Sequence, residues 1–266
     1  MKSVFRDDIL EGKVALVTGG GSGICKGIAQ ALLAHGARCA IVGRKAERLA
    51  GAAAELSATT GRECIALPAD VRDTAAIEKV VDSTLERFGR IDVLVNGAAG
   101  NFLAPAAQLS YNGFKTVMEI DAIGTFNVTK ATFEKRLRDH GGNVINISAT
   151  LHLGGTPLQV HAASAKAAID AMTRTLAIEW GPLGIRVNAI APGPIDETEG
   201  MKRLAPGGVK DRMTAAIPLG RFGRIDEMAS IALFLASDAS SYIHGEVIVA
   251  DGGAWLPTVS PLAFAG

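Results

Sequence analysis

Short apolar runs recur along this chain, and longer segments with helical spacing separate them. The runs are rich in β-branched residues and almost wholly apolar, which is typical of strands that are buried on both faces. They cover residues 13–18, 38–43, 63–67, 91–96, 143–148, 186–191 and 246–251. Helices are predicted over residues 24–35, 46–60, 74–88, 111 to about 139, 161–180 and 225–236. This alternation predicts an α/β fold in which helices cover both faces of a parallel sheet.

Composition excludes several classes of protein. Among the 266 residues, 27 Lys and Arg balance 27 Asp and Glu, whereas a nucleic-acid-binding protein needs a basic excess. No apolar run approaches the ~20 residues that cross a membrane. Cys25, Cys39 and Cys64 are scattered and lack CxxC spacing, so we expect small buried residues rather than disulfides or a metal site. With no repeat or linker, residues 1–266 are predicted to form a single domain.

A glycine-rich loop lies between the first predicted strand and the first predicted helix. Residues 18–25 have the sequence Thr-Gly-Gly-Gly-Ser-Gly-Ile-Cys. Glycines at this place let the backbone approach a pyrophosphate, which the positive N-terminus of the helix then binds. We therefore expect a dinucleotide on this loop, in contact with Gly19, Gly20, Gly21, Ser22, Gly23 and Ile24.

The end of the second predicted strand distinguishes the two nicotinamide cofactors. NAD sites usually place Asp or Glu there to bind the ribose 2′-hydroxyl. Here Arg44 and Lys45 follow Gly43. A guanidinium can bind a 2′-phosphate that a carboxylate would repel, so the sequence predicts NADP(H), with Arg44 and Lys45 at that phosphate. The alternative is that both are solvated side chains at the start of a helix.

These segments together resemble the short-chain dehydrogenase/reductase family along nearly the whole chain. The glycine loop is similar to the family's TGxxxGxG with Cys25 in place of the last glycine, and Gly97 and Ala99 depart from its NNAG motif. The resemblance implies a single doubly wound (Rossmann) sheet of seven strands in the order 3-2-1-4-5-6-7. It also implies further cofactor contacts at Asp70, Val71, Asn96, Pro192, Gly193, Ile195 and Thr198.

Most catalytic positions of that family have changed in this chain. The family has a Tyr-x-x-x-Lys motif, and here Lys166 is present but Ala162 stands at the tyrosine position. Ala149 stands where the family has its catalytic serine, and Asp121 where it has a structural asparagine. A chain without the tyrosine lacks the usual proton donor for carbonyl reduction.

This pattern of losses resembles one branch of the family, the peroxisomal-type 2,4-dienoyl-CoA reductases. The segments that carry the resemblance are residues 98–102, 114–121, 164–174, 191–200 and 249–255. The branch implies NADPH-dependent reduction of 2,4-dienoyl-CoA to trans-3-enoyl-CoA in the β-oxidation of unsaturated fatty acids. In that reaction the proton goes to carbon and the thioester oxygen needs only hydrogen-bond donors, so the missing tyrosine is compatible with it.

Two residues are the expected catalytic groups. Lys166 is expected to bind the nicotinamide ribose and to add positive charge; the alternative is an exposed lysine paired with Asp170 one helical turn away. Asp121 is expected to supply the proton, directly or through a water, because a buried carboxyl can have a raised pKa. The alternative for Asp121 is a structural hydrogen bond to the backbone.

The resemblance also implies where an acyl-CoA substrate binds. The expected contacts are Phe102, Ser110, Tyr111 and Asn112, with Arg44, Arg72 and Arg203 facing the phosphates of CoA. The alternatives are a core position for Phe102 and simple solvation for the arginines. Residues 192–218 contain four prolines and follow a strand's carboxyl end, so we expect them to form a substrate lid.

Two competing functions stay open at this point. One is a 3-oxoacyl or hydroxy-compound reductase of the same fold, which Ala149 and Ala162 disfavour. The other is a catalytically inactive protein that binds NADPH as a sensor or scaffold. The resemblance further implies a homotetramer, located in peroxisomes if the source is eukaryotic and otherwise in the cytoplasm. Residues 261–266, Pro-Leu-Ala-Phe-Ala-Gly, do not contain an SKL-type targeting tripeptide.

Overall fold

The sheet has the predicted number of strands in the predicted order. The computed structural model describes residues 4–204 and 208–256, with only the backbone described at Lys202 and Arg203. The strands are β1 (Val14–Thr18), β2 (Arg38–Gly43), β3 (Cys64–Pro68), β4 (Val93–Asn96), β5 (Gly142–Ile147), β6 (Ile185–Pro192) and β7 (Val247–Ala250). They pair in the order β3-β2-β1-β4-β5-β6-β7, and every neighbouring pair is parallel. The prediction of a doubly wound (Rossmann) sheet is confirmed.

Helices connect the strands and lie on both faces of the sheet. They are α1 (Gly23–Ala34), α2 (Ala46–Thr60), α3 (Thr74–Phe88), α4 (Tyr111–Met118), α5 (Gly124–Thr132), α6 (Arg138–His140), α7 (Val160–Trp180), α8 (Glu199–Leu204), α9 (Val209–Ala216) and α10 (Ile225–Ala236). Local signals fix several of their ends. Asp73 caps α3 by accepting a hydrogen bond from the Ala76 N–H at 3.0 Å. Gly61 ends α2 in the left-handed conformation, with φ +67°.

The helix predicted over residues 111–139 is continuous but contains two wider turns. π-Helical segments at Glu119–Ile123 and Phe133–Leu137 join α4 to α5 and α5 to α6. Such turns disturb the regular spacing of the helix and occur frequently at functional sites. The first of them contains Asp121, which is 1% exposed. The widened turn therefore places a carboxyl in the interior of the protein.

Two apolar layers hold the helices against the sheet. On one face, Leu32 of α1 and Leu233 of α10 pack in a layer with Ile41 of β2. On the other face, Ile77 of α3 and Trp180 of α7 belong to a second layer. Because successive residues of a strand face opposite sides, strands between the two layers contribute to both. The carboxyl ends of all seven strands lie at one edge, where sheets of this kind bind ligands.

The segment expected to form a lid is more regular than its prolines suggest. Residues 192–218 leave the carboxyl end of β6 and include the short helices α8 and α9. Residues 205–207, between those helices, are outside the described residues. The described part of this segment therefore contains two short helices rather than only an irregular loop.

The cysteines are buried and free, as expected for small apolar residues. Within residues 4–204 and 208–256, no helix combines the length and the apolar character needed to cross a membrane.

Candidate active site

A cleft of about 760 Å³ opens at the carboxyl edge of the sheet, beside the junction of β1 and α1. Gly19 has a left-handed φ of +72°, and a side-chain carbon there would lie 2.7 Å from the Gly97 carbonyl oxygen. A side-chain carbon at Gly20 would lie 2.7 Å from the Ile41 side chain. The loop can therefore pass between β2 and β4 only because these residues are glycines.

Most of the predicted cofactor residues line this cleft. They are Gly19, Gly21, Ser22, Gly23, Ile24, Arg44, Lys45, Asp70, Val71, Lys166, Pro192, Gly193 and Thr198. Gly20 and Ile195 are instead buried in the protein interior. Asn96 is buried too, and its amide donates hydrogen bonds to Thr129 Oγ1 at 2.8 Å and to Asn146 Oδ1 at 2.9 Å. Asn96 thus connects the end of β4 to α5 and β5 and stabilises it there.

Basic side chains gather at the end of the cleft beside β2. Arg44 and Lys45 line it, and so does Arg48, which the sequence analysis missed. Arg48 forms a two-pronged ion pair with Glu199 of α8, with N–O distances of 2.7 and 3.1 Å. Arg48 lies in the first turn of α2, whereas Arg44 and Lys45 precede that helix, so helical spacing does not connect the three residues in the sequence.

Two of the departures from the family's cofactor motifs, Cys25 and Gly97, contact each other. A side-chain carbon on Gly97 would lie 2.0 Å from Cys25 Sγ, so the thiol fills the space that a side chain at residue 97 would need. Burial raises the pKa of the Cys25 thiol to about 12. Cys25 therefore packs as a small neutral side chain beside the glycine loop.

Asp121 and Lys166 meet at the wall of the cleft. Lys166 Nζ lies 3.4 Å from Asp121 Oδ2 and donates a hydrogen bond to the Ile147 carbonyl at 2.9 Å. Asp121 Oδ1 accepts a hydrogen bond from the Gly100 N–H at 2.7 Å. These contacts connect α7, the widened turn of the long helix, β5 and the loop after β4.

Lys166 is not the solvated lysine that the sequence left open. It is only 7% exposed, and its ammonium faces Asp121 rather than Asp170. The Asp170 carboxylate contacts His152 Nε2 at 2.7 Å, which joins α7 to the turn after β5. The alternative pairing of Lys166 with Asp170 is therefore wrong.

The environment of Asp121 perturbs its titration. Burial raises the pKa of the Asp121 carboxyl above its usual value, and Lys166 and the Gly100 N–H lower this pKa in part because they stabilise the charged form. A raised pKa is what a proton donor near neutral pH requires. The bond from Gly100 is also the kind of backbone contact that a structural residue makes, so the geometry is compatible with both interpretations of Asp121.

No phenol lies beside these groups. The chain's two tyrosines, Tyr111 and Tyr242, are fully exposed. Ala162 is buried at the position of the family's tyrosine, and both it and Ala149 line the cleft. The proton donor that carbonyl reduction uses in this family therefore has no counterpart in this site.

The predicted acyl contacts are only partly brought together. Phe102 is 40% exposed, lines the cleft and stacks on His161 with ring centroids 4.3 Å apart, so it is not a core residue. Ser110 caps α4, and neither it nor Tyr111 or Asn112 lines the cleft. These three residues lie at the start of α4, away from the buried carboxyl and ammonium groups.

The predicted CoA-binding arginines are in different situations. Arg44 lines the cleft. Arg72 is exposed beyond the lining residues and pairs with Asp70 at 2.6 Å. The Arg203 side chain lies outside the described residues.

His161 is a further polar residue that the sequence analysis overlooked. It is fully buried, and it directly precedes Ala162 in the first turn of α7. At least one ring nitrogen has no hydrogen-bond partner among the described residues. Its place beside the tyrosine position was visible in the sequence, but its burial against Phe102 was not.

Comparison with known proteins shows what this chain is similar to. Residues 19–254 match the family described as enoyl-(acyl carrier protein) reductase. The peroxisomal 2,4-dienoyl-CoA reductase, (3E)-enoyl-CoA-producing, of Danio rerio is 55% identical over 260 residues, covering 97% of this chain and 86% of the relative. Its namesake from Pongo abelii is 54% identical over 256 residues, covering 96% and 88%. The crystal structure of a short chain dehydrogenase from Bacillus anthracis is 40% identical, with a TM-score of 0.83 and coverage of 94% and 100%.

Proposed function

The chain belongs to the short-chain dehydrogenase/reductase family, and we propose that it is an NADPH-dependent 2,4-dienoyl-CoA reductase that forms trans-3-enoyl-CoA. The observation that carries this proposal is the pairing of Lys166 with the buried Asp121 in a cleft that lacks tyrosine. Relatives with this activity in their names are 55% and 54% identical to the chain over nearly its whole length. No observation favours the two alternatives, a 3-oxoacyl or hydroxy-compound reductase and an inactive NADPH-binding protein.

The cleft has the chemistry that NADP(H) requires. At Gly19 and Gly20 a side-chain carbon would collide with neighbouring atoms, so the backbone is bare where a pyrophosphate would approach. Arg44, Lys45 and Arg48 line the end beside β2, where the ribose 2′-position lies in this type of fold. We assign the 2′-phosphate to these three side chains, and the preference for NADPH over NADH to their positive charge.

The reaction divides between cofactor and protein. The cofactor, when bound, supplies a hydride to the Cδ end of the conjugated thioester. Negative charge on the substrate then moves to the thioester oxygen, where hydrogen-bond donors and nearby positive charge stabilise it. Protonation of Cα completes the reaction and leaves the remaining double bond at C3. A group on the protein must supply that proton.

Lys166 is proposed to orient the nicotinamide ribose and to stabilise developing negative charge. Its ammonium is held at two points, the Ile147 carbonyl and the Asp121 carboxyl. An ammonium has three donors, so one remains for a ribose hydroxyl. Because Lys166 is buried, its charge is weakly screened and acts strongly within the cleft.

Asp121 is proposed to be the proton donor, directly or through a water that it holds. Its carboxyl lines the cleft, is 1% exposed, and has a pKa that burial raises. No tyrosine is near enough to do this work, since both are exposed on the surface. Lys166 beside the carboxyl stabilises the anion that remains after the proton has left.

The acyl-CoA is proposed to enter past Phe102, with its phosphates near basic side chains. Phe102 offers an apolar wall inside the cleft. Arg44 and Arg72 are proposed to face these phosphates, and Arg203 is proposed with them from sequence alone. Ser110, Tyr111 and Asn112 keep their proposed contact only if a long acyl-CoA extends beyond the cleft to the start of α4.

Residues 192–218 are proposed to be the lid. Thr198, Glu199 and Leu204 line the cleft, so this segment already covers part of it. The ion pair between Arg48 and Glu199 joins α2 to α8 across the basic end. Opening the lid would break that pair. The Arg48–Glu199 pair is therefore proposed to act as a latch, an ion pair that must break before the cofactor enters or leaves.

A homotetramer and a peroxisomal location, if the source is eukaryotic, complete the proposal. Apolar side chains stand exposed on the long helices, including Ile123 at 51%, Phe126 at 45% and Ile178 at 80%. Exposed apolar patches of this kind mark protein–protein contacts. The relatives from Danio rerio and Pongo abelii are named as peroxisomal enzymes.

One mixing experiment tests the function. Purified protein is mixed with NADPH and 2,4-hexadienoyl-CoA, and the absorbances of NADPH and of the dienoyl thioester are followed together. The proposal predicts that both fall in equal molar amounts and that NMR of the product shows a double bond at C3. Turnover of a 3-oxoacyl-CoA instead, or tight NADPH binding with no turnover of either substrate, would favour one of the two alternatives.

A further inference from the structure

The two polar contacts of the Asp121 carboxyl both favour its ionised form. The Gly100 N–H donates to one oxygen at 2.7 Å, and the Lys166 ammonium lies 3.4 Å from the other. A backbone N–H and an ammonium have no lone pair to offer, so neither can accept a hydrogen bond from a protonated carboxyl. A buried O–H without an acceptor is costly. If Asp121 carries a proton, another group must accept its hydrogen bond.

His161 has the unused lone pair that this requires. It is 0% exposed, and the backbone of Phe102 is the one partner indicated for its ring, so at least one ring nitrogen lacks a hydrogen-bond partner among the described residues. A buried imidazole nitrogen without a partner is unusual, because buried polar groups are nearly always satisfied. Burial lowers the pKa of His161, whereas the Phe102 backbone and Asp121 raise it. Burial thus favours a neutral ring, with one N–H and one accepting nitrogen.

The loop after β4 brings His161 and Asp121 together. Gly100 donates its N–H to Asp121, and two residues later the Phe102 ring stacks on His161 at 4.3 Å with an interplanar angle of 25°. Two residues of extended chain span at most about 7 Å. The two side chains therefore contact the same short segment from α7 and from the widened turn.

Other titratable groups packed near this pair are engaged elsewhere. The Asp170 carboxylate binds His152 on the turn that packs against α7. On the long helix, Lys115 pairs with Glu119 at 3.6 Å. Lys166 and His161 are thus the titratable side chains that act on Asp121 within the described residues, and Asp121 is the one that acts on His161.

We propose that His161 is a positioning residue that accepts the hydrogen bond of protonated Asp121 through one water, and so keeps the proton in place until the substrate takes it. This inference rests on the proposed function, because it explains how the donor of that reaction is kept in its acid form. It assigns a role to a residue outside the family's catalytic positions and adjacent to the lost tyrosine. His161 acts through Asp121 and does not line the cleft itself.

Two substitutions separate this role from simple packing. His161→Phe keeps a ring for stacking on Phe102 but removes the lone pair, whereas His161→Gln gives up the ring and retains an acceptor. The proposal predicts that His161→Phe lowers kcat about tenfold at neutral pH and shifts the alkaline fall of the pH profile about one unit lower. It predicts that His161→Gln recovers most of this loss and that NADPH affinity changes little in either variant. A packing role predicts the opposite order. His161→Phe would then be more active than His161→Gln, and the loss would appear in KM rather than in kcat.

A second measurement does not depend on turnover. Infrared titration of the cofactor-free protein, with Asp121→Asn to identify the band, reports protonation of the Asp121 carboxyl directly. The proposal predicts a lower Asp121 pKa in His161→Phe than in the wild type, and an equal pKa would overturn it. If the wild type reduces no dienoyl-CoA, the proposed function fails while this titration still decides the role of His161.

The wild-type protein offers a test that survives misfolding of either variant. With ¹⁵N-labelled histidine, the buried His161 ring is predicted to be neutral at pH 7, and one of its nitrogens is predicted to accept a hydrogen bond. A charged His161 ring at that pH has no lone pair to offer and would overturn the proposal.

Discussion

Cys25 and Gly97 both depart from the family's cofactor motifs, and their contact predicts that each residue is tolerated only because of the other. In Gly97→Ala the new methyl carbon would lie 2.0 Å from Cys25 Sγ, whereas ordinary contacts begin near 3.4 Å. About 1.4 Å must therefore be gained by shifting α1 or the loop after β4. Overpacking of this kind costs ~1–3 kcal/mol, and because Cys25 is only 5% exposed we expect the upper end of that range.

A double-mutant cycle measures this dependence. Cys25→Ala alone loses a buried sulfur and should cost about 1 kcal/mol. The double variant should lose only about 1–2 kcal/mol, because some strain from Ile147 and the Thr18 carbonyl, each 3.3 Å from the new carbon, remains. The coupling energy is then about 2–3 kcal/mol in favour of the double variant. For a chain of this size, a loss of about 3 kcal/mol lowers Tm by roughly 6–12 °C.

Thermal unfolding followed by circular dichroism, with urea titration beside it, gives the four stabilities. Gly61→Ala is the matched control, since it also replaces a glycine but has no atom within 4 Å of the new carbon, although its φ of +67° adds backbone strain. Additive losses in the cycle, or a Gly97→Ala variant as stable as the wild type, would show that the thiol does not occupy this space.

Three further predictions concern the cofactor and the lid. Arg44→Asp should reverse the preference for NADPH over NADH, since one charge-assisted phosphate contact is worth roughly 10- to 150-fold in affinity; fluorescence titration with both cofactors measures this, and unchanged preference would contradict the assignment. Lys166→Ala should abolish dienoyl-CoA turnover and weaken NADPH binding, and a wild-type rate would mean that the buried ammonium plays no part. Glu199→Gln should speed NADP release by breaking the pair with Arg48, and stopped-flow displacement giving an unchanged release rate would exclude the latch.

The fold was predictable because its signals are local. Each strand is a short β-branched run, and features such as Asp73 and Gly61 mark helix ends with side-chain or backbone chemistry that depends on neighbouring residues. The strand order came from resemblance, since periodicity cannot say which strands are neighbours. The widened turn at Glu119–Ile123 could not be predicted, because the contacts of its Asp121 are with Gly100 and Lys166, which are far away in the chain.

The site was predictable where motifs are contiguous and not where contacts cross the fold. The glycine loop and Lys166 line the cleft as expected from their motifs. The pair between Arg48 and Glu199 joins residues 151 positions apart, so no local sequence pattern indicates it. The same holds for the burial of His161 against Phe102, which requires the loop after β4 to fold onto α7. Tertiary contacts thus place Arg48, Glu199 and His161, which local sequence patterns do not.

The most direct test of the central claim is the rate of dienoyl-CoA reduction by Asp121→Asn and by the wild type across pH, with NADPH affinity measured in parallel. Asparagine keeps the shape of the side chain but cannot carry the proton. Burial raises the pKa of Asp121, and the acid form is the active one, so the wild-type rate should be constant at low pH and fall as pH rises through that pKa. Asp121→Asn should bind NADPH normally and react ~10²–10⁴-fold more slowly, because general acid catalysis contributes about that much. A variant that binds NADPH and keeps the wild-type rate and pH profile would contradict the claim, since the proton would then come from solvent and Asp121 would be structural.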